Sequence, residues 1–194
     1  MTSICIIRHG ETDWNAIGKL QGRTDIPLNE TGIFQAEECA EFVKDFQWDV
    51  IVTSPLKRAK QTAEIIQRKI DIPLIEMEEF VEKGFGKVEG LTLQERVAAY
   101  PDGNYPDEES DLSITARVMA GIQKINEAYK DKKVLLVAHG VVINMILDSL
   151  SNGEISSAKT RLINACISNI SFQEEKWKIK DYNQVTHLSK YLEV

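Results

Sequence analysis

The sequence predicts an α/β protein, namely a three-layer α/β/α sandwich with a mostly parallel central sheet and a C-terminal hairpin. Short continuous apolar runs at 4–7, 50–52 and 134–138 are typical of strands buried on both faces of a parallel sheet. Segments with a helical pattern lie between these runs. Strands that alternate with helices predict a sheet covered by helices on both sides.

The helical segments carry apolar residues three and four positions apart, which places those residues on one face of a helix. The spacing is seen at Ile33, Ala36, Ala40 and Val43, then at Leu56, Ala59, Ala63, Ile66 and Ile70, and then at Val118, Ile122, Ile125 and Tyr129. Ser54 suits an N-cap and Pro55 suits the first helical position. The helix after the second strand is therefore predicted to begin there.

The remaining segments predict a hairpin and a long loop. Two apolar stretches around "QEE", within residues 163–182, predict a hairpin added to the sheet. The segment from about Glu78 to Asp111 is the least regular, and its "YPDGNYPDEESD" stretch predicts a solvated surface loop. No internal repeat or linker divides the sequence, so we expect one domain over residues 1–194.

The composition is that of a globular protein with an acidic surface. The 194 residues are 43% hydrophobic and 27% charged, with 23 basic residues against 30 acidic ones and a net charge of −7. A nucleic-acid-binding protein needs a basic surface to neutralise phosphates, so we expect no nucleic-acid partner. An anionic ligand would have to bind in a small basic pocket.

The cysteines and the hydropathy indicate the cytoplasm. Cys5, Cys39 and Cys166 are odd in number and far apart, so we expect buried thiols in a reducing compartment. The N-terminus "MTSICIIRHG" lacks the pattern of a signal peptide. No apolar run approaches the length of about 18 residues that a membrane span needs, so we expect no membrane partner.

Polar residues follow each predicted strand. Arg8 and His9 follow the first, Ser54 follows the second with Arg58 close behind, and His139 follows the third. Because ligands of open α/β sheets bind beyond the carboxyl ends of the strands, we expect these side chains to converge. The start of the helix near Arg58 favours an anion, and an arginine there matches phosphate oxygens.

Each of these residues also has a plainer interpretation. Lys57, Arg58 and Lys60 would form a solvated helix face, and His9 alone would be a structural histidine. A metal site is the rival hypothesis for the histidines. The sequence has no close pair of histidines and no cysteine partners for them, and an arginine beside a histidine repels a cation. We therefore expect no metal and no cofactor.

Five motifs in order resemble the histidine phosphatase superfamily, the phosphoglycerate-mutase-like proteins, and a compact phosphatase-type member of it. They are "RHGETDWN" at 8–15, "LQGRTDIPLNETG" at 20–32, "SPLKRAKQTAE" at 54–64, "EKGFGKVEG" at 82–90 and "VAHGVVI" at 137–143. With the hairpin, the resemblance covers essentially the whole chain. It implies the phosphoglycerate-mutase-like fold and phosphoryl transfer on a histidine.

The resemblance also implies residue roles. His9 matches the phosphorylated nucleophile, and Glu82 matches the acid that protonates the leaving oxygen. The residues that match the phosphate and substrate contacts are Arg8, Asn15, Gln21, Gly22, Arg58, His139 and Gly140. The acids that compete with Glu82 are Glu76, Glu78, Glu79 and Glu89. Val88 departs from the family, whose members often carry a large aromatic residue there, and we expect it to affect pocket shape only.

The predicted function is hydrolysis of small phosphomonoesters through a phosphohistidine, and broad specificity is one of the expectations for it. The stretch between Glu82 and His139 is short and acidic, whereas mutases of the family carry a longer insertion there that encloses the phosphohistidine. Three alternatives stay open: a cofactor-dependent phosphoglycerate mutase, an α-ribazole phosphate phosphatase and a catalytically silent phosphate-binding module. The sequence leaves the oligomeric state open, as monomer or homodimer.

Residues for specificity are harder to predict. Two interpretations are open for the apolar side chains in this region: they form an apolar rim of the pocket, or they belong to ordinary packing. These residues are Phe85, Tyr100, Tyr105 and Met119. Arg96 and Arg117 are candidates for contact with a substrate carboxylate, but their amphipathic helices favour surface positions. His187 follows no strand, so we expect it on the surface or in the packing of the tail.

Overall fold

The structure, a computed structural model, describes residues 1–156 and 158–191. The strands are β1 (Ser3–Arg8), β2 (Val50–Thr53), β3 (Leu74–Glu76), β4 (Lys133–Ala138), β5 (Ile167–Gln173) and β6 (Lys176–Gln184). The α-helices are α1 (Asp13–Ala16), α2 (Glu30–Val43), α3 (Lys57–Ile70), α4 (Leu93–Ala99), α5 (Asp111–Ala128) and α6 (Gly140–Ser151). Short 3-10 turns span Glu78–Phe80, Gly86–Val88 and Ser189–Tyr191.

The strands form one six-stranded sheet in the order β3-β2-β4-β1-β5-β6. The first four in this order are parallel, whereas β5 runs antiparallel to β1 and pairs with β6 as a hairpin. In this register Arg8 lies beside Ala138, and Thr53 lies beside Val137. The carboxyl ends of β1, β2 and β4 therefore lie level at one edge of the sheet.

Apolar side chains are buried on both faces of the sheet. Ile4 and Ile6 of β1 pack with α5 and α6, whereas Cys5 and Ile7 pack on the other face with α2 and α3. Complete burial of such an isoleucine contributes about 1.5–3 kcal/mol to folding. This two-sided burial explains the continuous apolar runs, and it confirms the predicted α/β/α sandwich with its mostly parallel sheet and C-terminal hairpin. The prediction of one domain over 1–194 stays a prediction.

Several predicted boundaries were wrong. The helix after β2 begins at Lys57 with Leu56 as its N-cap, so Ser54 is not the cap. Ser54 is instead buried, because its hydroxyl contacts the ring of His139. Residues 100–110 of the stretch predicted as a surface loop form no helix or strand, whereas the wider irregular segment from about Glu78 to Asp111 also contains α4; the short strand β3 was not predicted. Helix α5 begins at Asp111, earlier than its apolar spacing indicates, because Ser110 caps it.

Candidate active site

The polar residues that follow β1, β2 and β4 meet around a cavity of about 670 Å³. The predicted site residues that line it are Arg8, His9, Asn15, Gln21, Gly22, Arg58, Glu82 and Gly140. His139 is fully buried, and the centroid of its ring lies 5.2 Å from that of His9. The structure thus brings all the predicted site residues together, as expected for the carboxyl ends of neighbouring parallel strands.

His9 directly follows β1 and is buried. Its Nδ1 lies 2.7 Å from the carbonyl oxygen of Gly10. Because a carbonyl oxygen only accepts, Nδ1 carries the proton and Nε2 keeps a free lone pair. Burial lowers the pKa of His9 well below its ordinary value of 6.5, and the charges of Arg58 and Arg8 lower it further. The ring is therefore neutral at pH 7 and fixed in one tautomer.

Gly10 is held by a close contact that only glycine permits. A Cβ atom built on Gly10 would lie 2.3 Å from the carbonyl oxygen of Gly32, in the first turn of α2. The Gly10 amide donates to the hydroxyl oxygen of Thr62 on α3 at 3.1 Å. The peptide that orients the imidazole of His9 is thus fixed between two helices, which explains the glycine after His9.

His139 follows β4 and occupies the N-cap position of α6. Its Nε2 lies 2.8 Å from the Ser54 hydroxyl oxygen. Its buried Nδ1 has no hydrogen-bond partner within the described residues. Burial lowers the pKa of His139 well below 6.5, and the charges of Arg58 and Arg8 add to this. The unpaired Nδ1 leaves the ring able to bind a further polar group.

Arg8 and Arg58 supply the positive charge of the cavity. Arg58 is 1% exposed and donates to the carbonyl oxygens of Gly22 at 2.7 Å and Thr24 at 3.0 Å. Arg8 donates to the carbonyl oxygen of Leu162 at 2.6 Å. The Nε atoms of both arginines are buried without an acceptor in the described part of the chain. An anion in the cavity would satisfy these donors, since buried polar groups are normally paired.

The burial of these arginines also has an electrostatic consequence. Desolvation is the largest cause of the shift of Arg58, and it lowers the pKa of that guanidinium to about 10. Desolvation likewise lowers the pKa of Arg8. Both groups still carry their charge at pH 7, so two cations that form no ion pair among the described residues lie near the ring of His9. This arrangement is well suited to a dianionic ligand.

Glu82 lies across the cavity at the start of α6. Its carboxylate accepts from the backbone amides of Val141 at 3.2 Å and Val142 at 3.3 Å, and from that of Lys83 at 2.9 Å. The first amides of a helix are unpaired donors at the positive end of its dipole, so they hold this carboxylate in place. Glu82 is 7% exposed, which keeps the group at the cavity wall and in reach of water.

Arg117 of α5 fixes the segment that carries Glu82. Its guanidinium donates to the carbonyl oxygens of Val81 at 2.6 Å, Glu79 at 2.9 Å and Glu82 at 3.2 Å. It also forms a two-pronged ion pair with Glu109, at 2.8 and 2.9 Å. The expectation of a surface position for Arg117 was therefore wrong, because its side chain is hydrogen-bonded to the backbone carbonyl groups at and near Glu82.

Asn164 is a site residue that sequence reasoning missed. Its Nδ2 donates to the carbonyl oxygen of His9 at 3.1 Å, to that of Gly10 at 3.3 Å and to Oδ1 of Asn15 at 3.1 Å. Asn15 also closes a capping box with Thr12 at the start of α1. One amide group thus links both residues that follow β1 to the segment before β5. The only signal in the sequence was an asparagine directly before an apolar run.

The other acids near the predicted glutamate have different partners. Glu89 accepts from the amides of Arg23 and Thr24 and joins two loops, and a Cβ on Gly22 would collide with it. Glu76 pairs with Lys60, and Glu79 pairs with Lys124. Among the described residues that line the cavity, Glu82 is the only acid. The assignment of Glu82, rather than another of these acids, as the group that protonates the leaving oxygen remains a prediction, and this geometry supports it.

The structure also places the aromatic residues, the arginine and the third histidine for which the sequence analysis stated expectations. Phe85 lines the cavity, whereas Tyr100 and Tyr105 pack on each other edge to face. Arg96 lines the cavity, so its expected surface position was wrong. His187 is half-buried and packs in the tail against the carbonyl oxygen of Ala165.

Two features are absent from the residues that the structure describes. Within that part of the chain, no three histidine, cysteine, aspartate or glutamate side chains form a group that could hold a metal ion. Over the same residues, no helix is both long and apolar enough to cross a membrane.

Comparison with known proteins agrees with this geometry. A model of the histidine phosphatase superfamily (branch 1) matches residues 4–185. This chain belongs to the histidine phosphatase superfamily. The predicted family and the predicted enzyme class, a phosphatase, are thereby confirmed. The roles of individual residues in this histidine phosphatase stay predictions.

Three relatives of this histidine phosphatase are informative. The uncharacterized phosphatase PhoE of Bacillus subtilis (strain 168) is 55% identical over 99% of this chain and 100% of its own length. A metal-independent phosphoserine phosphatase of Arabidopsis thaliana is 32% identical over 97% of this chain and 84% of its own. The crystal structure of phosphoserine phosphatase from Entamoeba histolytica in complex with 3-phosphoglyceric acid superposes with a TM-score of 0.85. It is 32% identical and covers 97% of this chain and 100% of its own.

Proposed function

We propose that this protein hydrolyses phosphomonoesters of small metabolites through a phosphohistidine formed on His9, without a metal. The observation that carries the proposal is the free Nε2 of a neutral, tautomerically fixed His9 beside the Nε donors of Arg8 and Arg58, which have no acceptor among the described residues. Catalysis of phosphoryl transfer depends mainly on positioning the phosphoryl group and on stabilising its negative charge. This cavity provides both.

In the first step the lone pair on His9 Nε2 attacks phosphorus, and the bond from phosphorus to the ester oxygen breaks. Glu82, in its protonated form, gives its proton to the leaving oxygen, so the product is an alcohol. In the second step Glu82, now ionised, takes a proton from water as the water oxygen attacks phosphorus. The bond to Nε2 breaks, inorganic phosphate leaves, and both residues return to their starting states.

The surrounding residues stabilise the transferred group. The guanidinium groups of Arg8 and Arg58 would bind the equatorial oxygens of the phosphoryl group. Nδ1 of His139, which is buried without a partner among the described residues, would contact one of these oxygens as well. We place Asn15, Gln21, Gly22 and Gly140 around the rest of the substrate. Two of them, Asn15 and Gly140, lie on segments that hydrogen bonds to Asn164 and to Glu82, respectively, hold in place.

Hydrolysis is favoured over the mutase alternative because the cavity wall is open to water. Leu93 is 62% exposed and Arg161 is also exposed, although both line the cavity. Water that reaches the phosphohistidine hydrolyses it, whereas a mutase must exclude water until the phosphoryl group is returned. The relatives named phosphatases support the same choice. We further propose small phosphorylated metabolites as partners and the cytoplasm as the compartment, which the three free, buried cysteines support.

The deciding experiment measures phosphate release from p-nitrophenyl phosphate and from alkyl phosphates, with and without EDTA. We expect EDTA to have no effect and the His9→Asn variant to lose activity by more than about a thousandfold. The His187→Asn variant, a histidine outside the cavity, is the control and should stay active. Rapid quenching with radiolabelled substrate should trap an acid-labile phosphoprotein that the His9→Asn variant does not form.

Two results would contradict the proposal. Turnover at the normal rate by His9→Asn would exclude His9 as the nucleophile. Conversion of 3-phosphoglycerate to 2-phosphoglycerate with little phosphate release, in a coupled assay, would establish the mutase alternative.

A further inference from the structure

The loop at residues 22–24 determines where the guanidinium of Arg58 points. We propose that Glu89 is a positioning residue for phosphoryl transfer, because it fixes this loop and thereby aims Arg58 at the phosphate group. Glu89 is not among the described residues that line the cavity, so it would act through Arg58 and not by contact with the substrate. This inference rests on the proposed function, in which Arg58 binds oxygens of the phosphoryl group.

Two backbone carbonyl groups of the loop orient the guanidinium of Arg58. One terminal nitrogen donates to the carbonyl oxygen of Gly22 at 2.7 Å, and the other donates to that of Thr24 at 3.0 Å. The N–H donors of a guanidinium lie in one rigid plane, so two such bonds fix the direction of the donors that remain. One of these is the Nε donor, which has no acceptor in the described part of the chain. The direction in which Arg58 can bind an anion therefore depends on where these two carbonyl groups lie.

The carboxylate of Glu89 accepts hydrogen bonds on both of its oxygens. Its Oε1 accepts from the amides of Arg23 and Phe85, each at 3.0 Å. Its Oε2 accepts from the amide of Thr24 at 2.8 Å and from the hydroxyl group of the same residue. Each oxygen of an ionised carboxylate offers about two acceptor sites, so these donors use the whole group. A glutamine in its place would turn an NH2 group towards donors that require an acceptor.

Gly22 brings the loop into direct contact with this carboxylate. Its φ angle is +56°, and a Cβ atom built on it would lie 2.1 Å from Oε1 of Glu89. The left-handed backbone and the close approach both require glycine. A displacement of the Glu89 side chain would therefore change the position of the Gly22 carbonyl group, which accepts from Arg58.

The negative charge of Glu89 also acts on Arg58. Burial alone would raise the pKa of Glu89, but the hydrogen bonds from Thr24, Phe85 and Arg23 outweigh it and lower that pKa below 4.5, so the group is ionised at pH 7. Burial lowers the pKa of Arg58 to about 10, and the charges of nearby acids, Glu89 among them, oppose this effect. Glu89 thus supports both the position and the charge of the guanidinium.

Glu89 also contacts the segment that carries Glu82, because the amide of Phe85 donates to it. The carboxylate of Glu82 nevertheless has its own support, since it accepts from three backbone amides, two of them at the start of α6. In the loop that holds Arg58, by contrast, two consecutive amides donate to Glu89. Loss of the Glu89 carboxylate should therefore disturb Arg58 more than Glu82.

The test is the Glu89→Gln variant, with p-nitrophenyl phosphate as the substrate and orthovanadate as a competitive oxyanion inhibitor. We expect the inhibition constant for orthovanadate to rise by about tenfold and kcat/KM to fall by about tenfold or more, because the donors of Arg58 are misdirected. The loss should be equal for alkyl phosphates, since Arg58 acts on the phosphoryl group and not on the leaving oxygen.

The matched control is Asp49→Asn. This carboxylate also accepts from a backbone amide, that of Lys133 at 2.8 Å, but at the amino end of β4, away from the cavity. Asp49→Asn should leave the kinetic constants unchanged. Urea unfolding of both variants shows whether each is folded. If Glu89→Gln does not fold, Thr24→Val takes its place, because it removes only the hydroxyl donor and should raise the inhibition constant by about threefold.

A double-mutant cycle separates positioning from general stabilisation. Arg58→Gln should by itself lower kcat/KM by about a hundredfold, and adding Glu89→Gln or Thr24→Val should cause no further loss if the residue acts through Arg58. Losses that multiply, an unchanged inhibition constant, or a loss confined to alkyl phosphates would each overturn the role of Glu89. These outcomes require an active wild-type protein, whereas a wild-type protein without phosphatase activity would contradict the proposed function and this role together.

Discussion

The two cavity histidines are neutral beside two charged arginines, and this combination determines their chemistry. Burial and the arginine charges both lower the pKa of His9, so the ring keeps its lone pair below neutral pH. The same causes act on His139. The sites of positive charge are therefore the guanidinium groups, whose charge does not depend on pH in this range. In the proposed mechanism the nucleophile and the groups that bind the anion are therefore different residue types.

Asn164 offers a test of how closely His9 must be held. In Asn164→Ala, the carbonyl oxygens of His9 and Gly10 lose a donor, so the imidazole should sample more orientations. We expect kcat to fall by about tenfold or more, since small misplacements of a reacting group are costly, with little change in KM. Asn183→Ala, which removes an amide contact to the same segment outside the cavity, is the control. Steady-state kinetics decide between them, and an unchanged kcat in Asn164→Ala would show that Gly10 and Thr62 hold His9 sufficiently.

Residues of the cavity could be predicted from the sequence where the end of a strand or a motif indicated their position. His9 and His139 follow apolar runs, so their meeting could be expected from the topology of parallel strands. Asn164 could not, because its segment has no periodicity and its importance depends on which carbonyl groups it reaches. Arg96 was misjudged for a different reason. Its short helix exposes Leu93 and Val97, so the apolar pattern does not show which side faces the cavity.

At the scale of elements, the packing of α5 against the segment at 79–84 positions Glu82. Arg117 provides this link, and it touches the backbone rather than the reacting groups, which makes it a positioning residue. Its ion pair with Glu109 is largely shielded, with side-chain exposures of 20% and 10%. Ion pairs of this kind are costly to break from one side, because the remaining charge is left without its partner.

The Arg117→Gln variant tests this positioning. We expect the free energy of unfolding to fall by about 2 kcal/mol, and kcat for alkyl phosphates to fall by about tenfold. Hydrolysis of p-nitrophenyl phosphate should fall much less, because p-nitrophenolate leaves without a proton from Glu82. Lys124→Gln, on the same helix and paired with Glu79 at the surface, should change neither quantity. An equal loss on both substrates would mean that Arg117 contributes only to stability.

The type of each helix and strand could be predicted from the sequence better than the residues at which it begins and ends. The strands β1, β2 and β4 were found because burial on both faces requires continuous apolar residues. The start of α3 was misplaced because a serine that suits an N-cap also suits a buried contact with His139, and the tertiary contact prevailed. The limits of helix α4 could not be predicted, because its seven residues bury no side chain completely.

For the whole molecule, the buried histidines predict how stability depends on pH. An unfolded histidine has a pKa near 6.5, whereas burial lowers the pKa of His9 and His139 well below that value in the folded protein. Below pH 6.5 the unfolded chain therefore binds protons that the folded protein does not. Stability is full above pH 6.5 and falls as the pH decreases from there towards the folded pKa. His187, whose pKa burial also lowers, acts in the same direction.

We expect the free energy of unfolding to decrease by about 1 kcal/mol for each of the two cavity histidines between pH 7.5 and pH 5.5. Carboxylates such as Glu109, whose pKa is lowered to about 2 chiefly by Arg117 against the opposing effect of burial, act only below pH 4.5. Urea unfolding in phosphate-free buffers measures this. The decrease should be smaller by about 1 kcal/mol in His139→Gln, and an identical decrease would show that His139 is protonated in the folded state.

The wide spread of the site along the chain has a consequence for protein synthesis. Arg8 and His9 leave the ribosome early, but the groups that hold them, Leu162 and Asn164, are made near the end. The sheet that joins them has β4 between β1 and β2, so the pairing of β1 with its parallel neighbour waits for residues 133–138. Such long-range pairing forms slowly and late. On the proposed function, a nascent chain thus gains affinity for phosphate only when almost all of it has been translated, so phosphate binding would report that folding is complete.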